Sequence, residues 1–164
     1  MTTQDIEETP EQAAQHEEAE RRMMGFKYKR PESLGDANKG LVRLAGTDLM
    51  KGVVQVIEDG GENVLHYHEG MDSFWMVLRG RARFYGPGDK LVGEYGPMEG
   101  VVTPRGARYW FEKASDEALE LLQVASYDMR SKGARRFAVD PEAPKSNRNQ
   151  WFDGQNNNQP INQG

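Results

Sequence analysis

The chain has 164 residues, 37% hydrophobic and 29% charged, which is enough for one domain with a sizeable core. It contains no cysteine, so disulfides, thiolate metal sites and cysteine nucleophiles are excluded. The net charge of −5 lies in residues 1–22, and the neutral remainder argues against nucleic-acid binding. No apolar run reaches the roughly 20 residues that cross a membrane, and we expect a cytoplasmic protein.

The first predicted element is a helix in the segment TPEQAAQHEEAERRMM. Thr9 can serve as its N-cap, Pro10 suits the first helical position, and Gln12 completes a capping box. The apolar residues of this segment are few, so the helix should lie exposed or against a partner rather than in the core. We assign residues 1–25 to this acidic N-terminal helix, with His16 on its surface.

Eight short runs rich in β-branched and aromatic residues follow between residues 51 and 127, separated by turn residues rich in Gly, Pro and Asp. Strands at this spacing predict an all-β sandwich or barrel, which we place in residues 26–140. One of these runs, EALELLQV, could also form a helix, but its neighbours are strands.

The end of the chain has a different composition, because ten of residues 145–164 are Asn or Gln. Such a segment has no periodic apolar pattern with which to build a core. We therefore expect residues 141–164 to form a disordered, low-complexity C-terminal tail. Trp151 and Phe152 are its best candidates for anchors on the barrel.

Two stretches carry a family resemblance. GGENVLHYHEGMDSFWMVLRG resembles the first sequence motif of the cupins, and GPMEGVVTPRGARYWF resembles the second. The matching positions are Gly60, His66, His68, Gly80, Pro104 and Gly106. The resemblance covers about residues 40–128 and implies a double-stranded β-helix, a jelly-roll barrel whose open mouth holds the site.

The resemblance also implies a divalent metal ion (Fe, Mn, Ni or Zn), which cupins usually hold with three histidines and a glutamate. This sequence has Ser73 where the family has its glutamate and Tyr109 where it has its third histidine. His66 and His68 remain, and residues two apart on a strand point to the same side. Asp72 could add a carboxylate from the turn that Glu69 opens, so we predict a metal set of His66, His68 and Asp72. Alternatively, the histidines are core residues without a metal.

A pocket is predicted around these residues. If Ser73 faces inward, strand alternation sends Trp75 inward too, and Tyr109 takes Phe111 with it. Their aromatic rings suit a small organic ligand of planar or aromatic shape, with Gln55 as a further polar contact. Plain core filling would use the same residues equally well.

Three functions fit this sequence. The first is a metal-dependent cupin enzyme with His66, His68, Asp72 and Tyr109 as catalytic groups; this class includes dioxygenases, isomerases, decarboxylases and lyases, among which the fold cannot choose. The second is a metal-free isomerase or cyclase that uses His and Tyr as acid and base. The third is a non-catalytic ligand-binding or assembly protein. We also expect a homodimer in which residues 25–39 cross to the partner barrel.

Overall fold

Twelve strands make up most of what is described in this computed structural model, which covers residues 7–128, 130, 135–143, 148–155 and 158–161. In chain order they are β1 (Lys39–Gly46), β2 (Met50–Ile57), β3 (His66–His68), β4 (Met71–Arg79), β5 (Ala82–Tyr85), β6 (Leu91–Tyr95), β7 (Gly100–Thr103), β8 (Trp110–Lys113), β9 (Leu119–Tyr127), β10 (Arg136–Ala138), β11 (Asn149–Asp153) and β12 (Gln159–Ile161). The eight predicted runs all contain a strand, and EALELLQV lies mostly in β9.

The strands form one large sheet and two small ones. The large sheet has the order β12-β11-β1-β2-β9-β4-β7, and the small sheets have the orders β6-β5-β8 and β10-β3. The strand β9 lies between β2 and β4, antiparallel to both, although the three are far apart in the chain. This crossover order produces the barrel, and an all-β fold was the sequence prediction.

The alternating sequence of the strands divides the barrel into an inside and an outside. In β4, Met71, Ser73, Trp75 and Val77 are buried, whereas the residues between them are more exposed. The inward side chains build an apolar core at one end of the barrel: Ile57, Trp75, Val77, Ala82, Phe84, Tyr109, Phe111, Leu119 and Leu121. A second cluster lies on the other face of the large sheet: Leu34, Val42, Leu44, Val54, Val56 and Phe152.

The helix α1 (Pro10–Arg21) has the predicted N-terminus. The Thr9 hydroxyl accepts a hydrogen bond from the Gln12 backbone N–H, and the Gln12 side chain accepts one from the Thr9 backbone N–H. None of its residues is buried, and His16 is exposed as expected. No helix within the described ranges is long and apolar enough to span a membrane.

In this single chain the segment between α1 and β1 packs on its own barrel, and its crossing to a partner barrel stays a prediction. The Tyr28 hydroxyl donates a hydrogen bond to the Glu120 carboxylate, and Leu34 is buried over Gly40. A Cβ atom at Gly40 would lie 2.6 Å from the Leu34 side chain, so the glycine makes room for this contact. The homodimer stays a prediction.

The C-terminal segment differs from the expected disordered tail wherever the structure describes it. The strand β11 pairs in parallel with β1 and extends the large sheet, and β12 pairs with β11. Phe152 is buried in the second cluster, the outer cluster on the other face of the large sheet. The Arg43 guanidinium lies over the Trp151 ring, 5.6 Å from its centroid. Both predicted anchors contact the barrel. Backbone pairing, to which Asn and Gln are no obstacle, orders this segment.

We predict that the N-terminal segment stabilises the barrel through Tyr28. Because the Glu120 side chain is buried, Tyr28→Phe should lower the free energy of unfolding by about 1–3 kcal/mol. Tyr85→Phe is the matched control, since the Tyr85 hydroxyl donates to a half-buried carboxylate, that of Glu112, at 2.7 Å. Urea unfolding measures both values. A loss in Tyr28→Phe no larger than in Tyr85→Phe would contradict this role of the segment.

Candidate active site in the barrel mouth

A cavity of about 970 Å³ opens at the end of the barrel away from the apolar core. Inward residues of four neighbouring strands, β1, β2, β9 and β4, form one wall, among them Leu41, Val53, Gln55, Gln123, Ala125 and Trp75. The strands β3 and β10 contribute His66, His68 and Arg136. The same alternation that fills the closed end therefore lines the open end with a mixture of polar and aromatic side chains.

His66 and His68 lie together in this cavity, as the sequence predicts. Their ring centroids are 5.1 Å apart, and the two ring planes are nearly perpendicular. The centroid of the Tyr109 ring lies 4.6 Å from that of the His66 ring. Nδ1 of His66 is 2.7 Å from the Val64 carbonyl oxygen, which can only accept. Nδ1 therefore carries the proton, and Nε2 of His66 is left as the basic nitrogen.

Both imidazoles are neutral near pH 7. Burial and, to a smaller extent, the nearby Arg136 charge lower the pKa of His66 to about 3. The same two causes lower the pKa of His68 to about 4. Nδ1 of His68 is buried and has no hydrogen-bond partner among the described residues.

Tyr109 lies directly opposite His66, because the two residues exchange both backbone hydrogen bonds. Burial raises the pKa of the Tyr109 hydroxyl to about 12, so it keeps its proton at neutral pH. The Thr103 hydroxyl accepts a 3.0 Å hydrogen bond from the indole N–H of Trp75. This bond holds Trp75 in the cavity wall, 6.1 Å from the Tyr109 ring between ring centroids.

Of the other predicted pocket residues, some line the cavity and others lie behind its wall. Gln55 lines the cavity and donates to Gln123, which in turn donates to the Ser73 hydroxyl at 2.9 Å. Oε1 of Gln55 is buried and unpartnered among the described residues. Ser73 and Phe111 are buried behind the wall and do not line the cavity. Phe111 is a core residue, fixed by its backbone N–H to the Asn63 side chain.

Asp72 does not join the histidines, and this part of the sequence prediction is wrong. β4 begins at Met71, so Asp72 is already within the strand and faces away from its buried neighbours. Its carboxylate accepts a 2.7 Å hydrogen bond from the Arg105 backbone N–H, and the Arg105 side chain lies 3.6 Å away. Asp72 therefore positions the Arg105 loop and takes no part in the cavity.

Lys39 and Arg136 are the functional candidates that the sequence analysis missed. The Lys39 residue is 5% exposed, and its ammonium lies 5.2 Å from the centre of the Phe111 ring. Burial lowers the pKa of Lys39 to about 8, and the charge of Arg136 lowers it more than Glu62 raises it. The cavity thus holds two cations and two neutral imidazoles. A lysine at the start of the apolar run GLVRLAG was the available signal.

The donor set does not fit a divalent metal ion. His66 and His68 supply two nitrogens, but no group of three His, Cys, Asp or Glu side chains suited to a metal lies together in the described part of the chain. The Ser73 hydroxyl accepts a hydrogen bond from Gln123, and the Tyr109 hydroxyl keeps its proton, so neither oxygen is a good metal ligand. Two cations beside the imidazoles would also repel a metal ion. The predicted set of His66, His68 and Asp72 is not assembled.

The comparisons with known proteins support the fold. Residues 53–125 match the family model of the cupin domain, and no curated protein matches the chain. A conserved Klebsiella pneumoniae subsp. pneumoniae protein with a double-stranded β-helix domain is 21% identical, with a TM-score of 0.54 over 74% of this chain and 93% of that one. An RmlC-like cupin family protein from Methanocaldococcus jannaschii is 17% identical, with a TM-score of 0.51 over 64% and 91%.

More distant matches include much longer proteins. Oxalate decarboxylase from Lactobacillus farciminis, in a formate complex, is 17% identical with a TM-score of 0.45. The match covers 56% of this chain and 27% of that protein, so the chain spans about a quarter of its length. Together with the two closer structures, the family match confirms the predicted double-stranded β-helix.

We predict that the buried histidines make the fold sensitive to acid. The pKa of His66 is lower in the folded chain than the ordinary 6.5, so the unfolded chain takes up this proton first as the pH falls. The stabilisation of the folded state by neutral His66 is therefore complete above pH 6.5 and is lost as the pH falls towards about 3. His66→Gln should therefore abolish roughly 3 kcal/mol of the stability loss between pH 7 and pH 4. Urea unfolding at each pH measures it. The same loss in His66→Gln as in the exposed control His16→Gln would contradict this explanation.

We predict weak metal binding by the present donor set. The protein should bind neither Zn²⁺ nor Mn²⁺ stoichiometrically at micromolar concentration. Two imidazoles are too few ligands for tight binding, and the nearby positive charges of Lys39 and Arg136 repel the metal ion. The double variant Tyr109→His with Arg136→Met should bind Zn²⁺ more tightly, since it adds a third nitrogen and removes one repelling charge. Isothermal titration calorimetry measures both proteins. Tight binding by the unmodified protein would refute this description of the donor set.

Proposed function

Because residues 53–125 of this chain are a cupin domain, we propose that the mouth of its barrel binds a small organic anion and that His66, His68 and Tyr109 transfer a proton on it. Binding of an anion is supported by two cationic side chains in the cavity, those of Lys39 and Arg136. Both line the cavity, and neither has a carboxylate within 4 Å among the described residues.

The acidic residues around the cavity leave this positive charge in place. Asp128 is engaged with Arg105 and Arg130, and Asp48 lies exposed at the rim. Glu62 acts on the Lys39 pKa less strongly than Arg136 does. A carboxylate or similar oxyanion between the two cations would relieve their repulsion and regain the solvation that Lys39 loses on burial.

The neutral histidines suit proton transfer on such an anion. Nε2 of His66 is a base with a fixed orientation, because the Val64 carbonyl holds the other nitrogen. The pKa of His66 would rise when an anion binds, since the Arg136 charge that lowers it would then be balanced. Tyr109, protonated beside His66, can donate to a developing oxyanion. Isomerisation or elimination by proton transfer is the class of reaction that these groups support.

This proposal follows the metal-free alternative of the sequence analysis. A metal-dependent dioxygenase or decarboxylase would need more ligands than the two histidines. Purely non-catalytic binding is the remaining alternative, and it shares the anion site. The proton-transfer step distinguishes the two, so it must be measured separately from binding.

We predict that short-chain carboxylates bind and that their amides do not. Pyruvate should bind more tightly than pyruvamide, and Arg136→Met should weaken pyruvate binding about tenfold or more, because a charge-assisted hydrogen bond is lost. Binding should also weaken as the pH rises through about 8, where Lys39 loses its proton. Lys51→Met is the matched control, since Lys51 also lines the cavity but lies over the Tyr127 ring, and its charge is not among those that act on Lys39 or His66. Calorimetry measures each affinity.

Equal affinity for pyruvate and pyruvamide, or equal loss in Arg136→Met and Lys51→Met, would contradict the anion site. Proton transfer is read from the exchange of pyruvate methyl hydrogens for deuterium by NMR. His66→Gln should abolish this exchange while the affinity changes little. Binding without any catalysed exchange would favour the non-catalytic alternative.

A further inference from the structure

Lys39 differs from Lys113, a lysine whose side chain is also mostly buried. The Lys113 ammonium is held by the Asp59 carboxylate at 3.0 Å and by the Ser115 carbonyl oxygen at 2.7 Å. Lys39 has neither kind of partner within the described residues, and it faces the cavity over the Phe111 ring. Lys113 is therefore a structural ion pair, whereas the amine of Lys39 is open to a bound molecule.

The surroundings of Lys39 favour the neutral amine, which is the nucleophilic form. Desolvation in an apolar wall and a neighbouring cation are the two conditions that activate lysines for attack on carbonyl groups. Both are present here, the second through Arg136. With a pKa of about 8, roughly one tenth of Lys39 is unprotonated at pH 7, far more than for an ordinary lysine.

We propose that Lys39 forms an imine with the carbonyl carbon of an oxo acid whose carboxylate is held by Arg136. This inference rests on the proposed function, because it uses the same cavity and the same anion. It assigns Lys39 a covalent role in addition to its charge. An oxo acid is the class of substrate that presents both a carboxylate and a carbonyl carbon to this pair of residues.

The step is balanced without any further reactant. The Lys39 nitrogen lone pair forms a bond to the carbonyl carbon and gives a carbinolamine. Loss of water then removes the carbonyl oxygen together with two hydrogens, both ultimately from the amine, and leaves the C=N bond. No atom is oxidised or reduced. Protonation of the imine makes the neighbouring C–H acidic, and Nε2 of His66 can accept that proton.

Reductive trapping tests this inference. The full-length protein is incubated with pyruvate and sodium cyanoborohydride at pH 7, and the modified lysines are located by peptide mass spectrometry. We expect modification of Lys39 to exceed that of Lys51 at the rim and Lys113 in its ion pair by at least about tenfold. Acetone, which lacks a carboxylate, should modify Lys39 less than pyruvate does.

Lys39→Arg is the matched variant, since it keeps the positive charge but cannot form the imine. It should lose the fast modification at a pyruvate concentration that calorimetry shows to saturate the variant, and its thermal unfolding checks that the barrel is intact. Even modification of all lysines, or none at Lys39, would overturn the imine. If pyruvate still binds in that case, the proposed anion site stands. If pyruvate does not bind either protein, the proposed function fails as well.

Discussion

The burial of one ammonium group, that of Lys39, is the constraint on which the site depends. A charge inside a barrel loses most of its hydration, and a nearby carboxylate normally compensates it. Here the neighbouring charge is another cation, Arg136, and both charges lower the pKa of His66. The cavity is consequently electropositive, and its imidazoles stay neutral. Its chemistry follows from this imbalance of charge.

The ends of the chain hold Lys39 in position. It is the first residue of β1, where it pairs with Ile57 of β2 on one side and with Asn149 of β11 on the other. β11 belongs to the segment that composition alone assigns to a disordered tail. The outer cluster with Leu34 and Phe152 covers the opposite face of the same strands. The site thus depends on segments outside the matched residues 53–125.

The sequence predicts local features well and long-range ones poorly. Period-two alternation correctly sends Ser73 and Trp75 to the inside, and two histidines two apart share the cavity. The same alternation excludes Asp72, which was predicted to join them only because it was placed in a turn rather than in a strand. Local pattern is sufficient wherever the neighbours that matter lie on the same strand.

Lys39 and Arg136 could not be found in this way. They are 97 positions apart in the chain and meet only because β1 lies in the large sheet and β10 pairs with β3. No spacing rule connects them. Similarly, the tail is ordered by backbone pairing with β1, and a backbone hydrogen bond leaves little trace in composition. The fold was therefore predictable from its motifs, whereas the charge of the site was not.

The pKa of the Lys39 ammonium is the most direct measure of this account. It can be followed by NMR titration of lysine side chains labelled with ¹³C and ¹⁵N, with Lys39→Arg identifying the resonance. The account predicts a pKa near 8 in the free protein and a higher value when pyruvate is bound, because the anion stabilises the protonated form. A pKa at the ordinary lysine value of 10.5 that does not respond to pyruvate would contradict it.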